Sequence, residues 1–196
     1  MNKIDNFWKW FSSIAAELSV DYENITILDE LDQRISNLGE FSWEIGPGVN
    51  EPNCLVISPN GDLDQLEKTK YIVSQAPKIK NWELFYSKQP KQWDFVFEIE
   101  VNNKIETIDA SQWKYTLFKY PDQIFDILIE SPQLNQFNED DKIFISEIAL
   151  DGTIGEESRI TFIDNIEVVV DAGDYKSQLT QFIKLKDHLE SLLGSV

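Results

Sequence analysis

The sequence predicts an α+β fold: a mainly antiparallel sheet of about six or seven strands packed against N-terminal, central and C-terminal helices. Three observations carry this. Apolar residues recur three and four apart at both ends of the chain, they alternate with polar residues through much of its middle, and clusters of Gly, Pro, Asn and Asp separate the segments.

From Ile4 to Leu18, the side chains Phe7, Trp8, Phe11, Ile14, Ala15 and Leu18 line one helical face. After the polar stretch Asp21-Tyr22-Glu23-Asn24, Leu28, Leu31, Ile35 and Leu38 repeat the period and Gly39 supplies the stop. The period then falls to two. Phe41, Trp43 and Ile45 alternate with polar residues, Gly46-Pro47-Gly48 breaks the chain, and Cys54-Leu55-Val56-Ile57 reads as a second strand closed by Ser58-Pro59-Asn60-Gly61. Asp62 opens a third helix that turns Leu63, Leu66, Tyr71 or Lys70, and Val73 toward the core, with Pro77 as its end.

Strands are expected at Trp82–Tyr86, Phe95–Val101, Ile105–Ile108, Trp113–Tyr120 and Gln123–Glu130. Phe95, Phe97, Ile99 and Val101 share a face, and Asn102-Asn103-Lys104 makes the turn that follows. Connections this short predict antiparallel pairing. Residues 138–155 admit a hairpin, through Ile143, Ile145 and Ile148 with Asp151-Gly152, or a helix; Asn138 as cap before Glu139-Asp140-Asp141 favours the helix. A last strand region spans Ile160–Val170, and a closing helix runs from Tyr175 to Leu193 with Leu179, Phe182, Ile183, Leu189 and Leu193 on one stripe.

With 196 residues, 42% of them hydrophobic and 12% aromatic, and no repeat or linker, the expectation is a single domain over 1–196 built on one core. Charge is the strongest departure from average. Seventeen Lys and Arg against 35 Asp and Glu leave a formal −18, and Arg occurs only at Arg34 and Arg159. Such a surface repels phosphate backbones and anionic membranes, so nucleic acid and membrane are excluded as partners. It serves solubility, or it meets a basic protein, most concretely a cationic toxin or a nucleic-acid-binding protein whose DNA it imitates. The single Cys54 forbids an intrachain disulfide, the N-terminal residues lack a signal-peptide apolar run, and no window reaches membrane-span length; a cytoplasmic location is expected. Oligomeric state is left open.

The chemistry of catalysis finds few footholds. The lone His188 sits among Lys186, Asp187 and Glu190, where a surface histidine is the plainer account, and Cys54 opens an apolar strand as a structural thiol. One Cys and one His do not make a zinc set. The acidic groups Asp29/Glu30/Asp32, Asp62/Asp64, Glu139/Asp140/Asp141 and Asp171/Asp174 lack the spacing of a calcium loop and read as helix-end charge or solvated surface. Gly46-Pro47-Gly48 and Gly152-Thr153-Ile154-Gly155 match no phosphate cradle. No catalytic residue, metal or cofactor is assigned, and the chain is read as a non-enzymatic acidic interaction module. Its candidate contact residues are Trp93, in the polar loop Lys88-Gln89-Pro90-Lys91-Gln92, and Trp10, off the Trp8–Phe11 stripe. The alternative is a small-molecule-binding domain or carboxylate-dependent hydrolase, which requires a cleft where Glu44, Glu98 or Glu156 converge; Glu156 with Glu157, and Glu44 with Glu98, are its pairs.

Several blocks together resemble an uncharacterised family of bacterial proteins of similar length. They are Phe7-Trp8-Lys9-Trp10-Phe11, Phe41-Ser42-Trp43-Glu44-Ile45-Gly46, Leu55-Val56-Ile57-Ser58-Pro59-Asn60-Gly61, Ala76-Pro77-Lys78-Ile79-Lys80-Asn81-Trp82 and Leu150-Asp151-Gly152-Thr153-Ile154-Gly155-Glu156. They fall in order and span residues 7 to about 170. The resemblance implies an α+β fold and a helix across 138–155, and it carries no catalytic residues. This sequence departs from it after Tyr86, where Lys88 or Lys91 stands in place of an Arg.

Overall fold

In the computed structural model, which describes residues 2–101 and 103–194, the chain is α+β. It forms two compact units, residues 1–88 and 89–196, each with its own hydrophobic core where the sequence suggested one.

The first unit begins with α1, Lys3–Leu18. Asn2 and Asp5 form a reciprocal capping box: the Asn2 side chain accepts from the Asp5 amide at 2.8 Å, and the Asp5 carboxylate accepts from the Asn2 amide at 3.4 Å. The buried face is Phe7, Trp8, Phe11, Ala15 and Leu18, as the spacing predicts. Helix α2, Ile25–Ser36, is capped by Asn24 and buries Ile27, Leu31 and Ile35. Strand β1, Ser42–Gly46, pairs antiparallel with β2, Asn53–Ser58. Helix α3, Leu63–Ser74, starts on Asp62 and buries Leu66, Thr69 and Ile72; Leu63 and Tyr71, expected inside, are exposed because the buried stripe lies one position further round. It carries the chain over to β3, Trp82–Phe85, which pairs parallel with β2. Two buried indoles tie the layers together: Trp8 Nε1 donates to the Ile72 carbonyl at 2.8 Å and Trp82 Nε1 to the Ala15 carbonyl at 3.1 Å.

The second unit opens with a hairpin of β4, Val96–Val101, and β5, Lys104–Asp109. Phe97, Ile99 and Val101 point inward on β4; Asn102 of the expected turn lies outside the described residues. Next come β6, Lys114–Lys119, and β7, Phe125–Glu130, then α4, Glu139–Ile154, and α5, Glu156–Phe162. Asn138 caps α4, which settles the ambiguous stretch as helix. Strand β8, Ile163–Val169, then pairs parallel with β7, and β9, Thr180–Gln181, adds to β6 before α6, Leu185–Leu193.

Four expectations are corrected. The sheet of six or seven strands is three smaller sheets, in the orders β1-β2-β3, β4-β5 and β8-β7-β6-β9. Pairing is mostly antiparallel, but α3 and the α4–α5 pair are long enough to serve as crossovers, giving the parallel pairs β2/β3 and β7/β8. The strand expected from Ile160 starts at Ile163, since residues 160–162 complete α5. The closing helix begins at Leu185 rather than Tyr175. Phe182 is fully buried and its amide donates to the Trp113 carbonyl at 2.9 Å, so Thr180–Gln181 are held extended as a sheet edge, and Gly173–Gln178 before them form a short 3-10 segment.

Candidate functional site

The feature most suited to recognition lies in the second unit, at the turn between β6 and β7. Tyr120-Pro121-Asp122-Gln123 reverses the chain: the Tyr120 amide donates to the Ile124 carbonyl at 2.9 Å and the Gln123 amide to the Tyr120 carbonyl at 3.1 Å. Pro121 occupies the position that proline pre-sets, and Asp122 accepts from the Ile124 amide at 3.3 Å. Gln123 is left at φ 66, a left-handed conformation that a residue with a side chain adopts at a cost.

Beside this turn, β8 carries a bulge. Phe125 pairs with Ile163 and Asp126 with Asn165, so Asp164 is the extra residue and leaves the ladder. A cleft of about 420 Å³ lies here, lined by Tyr120, Pro121 and Ile124 and by the exposed carboxylates Asp122 and Asp164. Tyr120 is 46% exposed, and its hydroxyl donates to Asp126 Oδ2 at 2.8 Å. That bond, with the charges of Asp126 and Asp164, holds the phenol above its ordinary pKa, so the ring stays neutral among carboxylates. The unit around the cleft is the more acidic: residues 89–196 hold 21 of the 35 acidic side chains and 9 of the 17 basic ones, a net −12 against −6 for residues 1–88.

The carboxylates named for the alternative reading lie in different local settings. Glu44 is exposed on β1, 3.9 Å from Lys88 Nζ. Glu98 lies on the exposed face of β4, whereas Glu156 is fully buried at the start of α5. Glu156 belongs to an ionic cluster that sequence reasoning missed. Arg159 Nε donates to Asp151 Oδ1 at 2.5 Å and Nη1 to Glu147 Oε1 at 3.1 Å, with Asp151 and Arg159 both 7% exposed. Burial alone lowers the pKa of this guanidinium; the hydrogen bond to Asp151 and the charges of Asp151, Glu147 and Glu156 outweigh it and raise it. Gly155, at φ 84, breaks the helix between these partners and lets α5 fold Arg159 back on α4. The rarity of arginine in so acidic a chain was the available signal for this pairing.

The two candidate tryptophans are held by the fold. Trp93 is half-buried, its ring 5.1 Å from that of Phe95 and 5.8 Å from that of Phe97, and it lies so close over Gly152 that a Cβ there would meet Cζ2 at 2.8 Å. Trp10 is half-buried beneath the Arg34 guanidinium, 4.6 Å from the ring centroid, and Arg34 also pairs with Glu30 at 2.6 Å. A smaller cleft of about 210 Å³ in the first unit, lined by Lys3, Asn6, Phe7, Arg34, Asn37 and Leu38, has both of its cations engaged, Lys3 by the Asn37 carbonyl at 3.2 Å.

His188 is not a lone surface group: its Nδ1 is 2.8 Å from the hydroxyl of Tyr115, a fully buried side chain on β6. Cys54 is half-buried, and burial, then Glu83 and Glu44, push its thiol up, the opposite of what activates a nucleophile. Of the acidic groups, Asp62 caps α3, and Asp171 is held below the ordinary carboxylate range by Lys176 at 2.6 Å and by the Gly173 amide. No group of three or more His, Cys, Asp or Glu among the described residues is arranged to hold a metal ion, and no helix there is long and apolar enough to cross a membrane. Comparison with known protein families, with curated proteins and with solved structures finds no match for this chain.

Proposed function

We propose that the chain is a non-enzymatic interaction module that binds a basic protein through the cleft at Tyr120–Ile124 and Asp164. The carrying observation is the cleft itself: apolar walls for the stem of a cationic side chain, and two exposed carboxylates at the rim for its head, on the unit that holds most of the negative charge. Neutralisation of a cationic, toxin-like partner is its most concrete form. We take the protein to act in the cytoplasm, where a single thiol needs no pairing, and to stand with the bacterial family whose blocks it resembles.

The test is calorimetric titration with deca-lysine and deca-arginine peptides at low and moderate salt. The double variant Asp122→Asn/Asp164→Asn should weaken binding about five- to ten-fold, in keeping with two rim charges. A control that removes the same charge from the first turn of α4, Glu139→Gln/Asp140→Asn, should change it less than two-fold. Equal losses from both variants would show that the peptides follow net charge and not this site.

A further inference from the structure

We infer that the cleft is built for the guanidinium group of arginine in preference to the ammonium group of lysine. The inference rests on the reading of the cleft as the site for a basic protein and names the side chain that enters it. Its lining includes two ring side chains, the 46%-exposed Tyr120 and Pro121, together with Ile124. A planar, weakly hydrated guanidinium stacks on such surfaces and gives up little solvation, whereas an ammonium is compact and holds its water. The rim acids stand on two separate segments, Asp122 on the turn and Asp164 on the bulge of β8. The five N–H donors of a stacked guanidinium point outward in its plane, a fixed fork suited to acceptors on two segments at its edge while its face stays on the ring.

The Tyr120 hydroxyl donates to Asp126, which adds electron density to the ring face, the feature that attracts a cation. Both backbone irregularities of the site serve the same arrangement. The left-handed Gln123 closes the turn under Tyr120, and the bulge takes Asp164 out of the ladder and into the cleft wall.

The experiment compares deca-arginine with deca-lysine on the full chain and on three variants, with circular dichroism to verify folding. Wild type should bind deca-arginine three- to five-fold more tightly, the size that one exposed cation–π contact supports. Tyr120→Leu should bring the ratio near one. Tyr120→Phe, which keeps the ring and loses the bond to Asp126, should retain most of the preference, and Asp122→Asn/Asp164→Asn should weaken both peptides. Equal affinities for the two peptides that still depend on Asp122 and Asp164 would overturn the guanidinium inference and leave the basic-partner reading standing. So would an arginine preference untouched by Tyr120→Leu. Binding of neither peptide would overturn both.

Discussion

Replacing Arg159 with Met should strongly destabilise the second unit. Arg159 is 7% exposed, hydrogen-bonds Asp151 and Glu147, and feels the charge of Glu156. Met keeps most of the stem's apolar volume, so the loss is electrostatic and not a cavity. Asp151 is 7% exposed and Glu156 fully buried, so water cannot take the place of the lost partner. Removing one side of a buried ion pair in this way costs about 3–5 kcal/mol. With a urea m-value of about 2 kcal/mol/M, the unfolding midpoint should fall by about 1.5–2.5 M. Glu147→Gln should cost under about 1 kcal/mol, because the Glu147 side chain is 37% exposed and is screened.

Urea titrations followed by circular dichroism at pH 7 measure the effect. A midpoint shift under about 0.5 M would refute the account of Arg159 as the buried counter-charge.

Two further outcomes are expected. Gly152→Ala should cost about 1–2 kcal/mol despite the better helix propensity of alanine, because its Cβ would lie 2.8 Å from the rigid Trp93 ring; in a Trp93→Leu background the same change should be neutral or stabilising, which a double-mutant cycle on urea midpoints tests. Burial pushes the Tyr115 hydroxyl up to about 12 from 10.0, so its contribution to stability is complete below pH 10 and is lost as pH rises toward 12. Tyr115→Phe should lower stability by about 1 kcal/mol at neutral pH through loss of the bond to His188, and should flatten the alkaline limb of the stability profile.

Much of the local structure was legible in the residues. The first two helices, the hairpin face of Phe97, Ile99 and Val101, and the helix behind the Asn138 cap all follow from period and capping, which depend on neighbours within a turn or two of chain. The closing helix was overextended because Leu179, Phe182 and Ile183 keep a helical period, yet Phe182 is claimed by a backbone bond from distant Trp113. The mainly antiparallel pairing was legible, but the two parallel pairs were not, for the same reason: whether a helical connection returns the chain parallel or antiparallel depends on packing and not on connection length alone.

The candidate site divides along that line. Tyr120 and Asp122 share a Tyr-Pro-Asp turn, a local signal that the sequence reading passed over, whereas Asp164 joins them only through a bulge in a parallel strand that a two-helix crossover delivers. Trp93 stood out by its polar surroundings and is held instead by Gly152, far along the chain. By itself the sequence determined the class of fold, the α4 helix and the acidic balance, since composition and short-range spacing act without knowledge of the rest of the chain. Only the tertiary structure decided that the aromatic and acidic residues of the cleft meet, and that Arg159 neutralises buried acids, because long-range contacts depend on which surfaces pack and leave no period in the sequence.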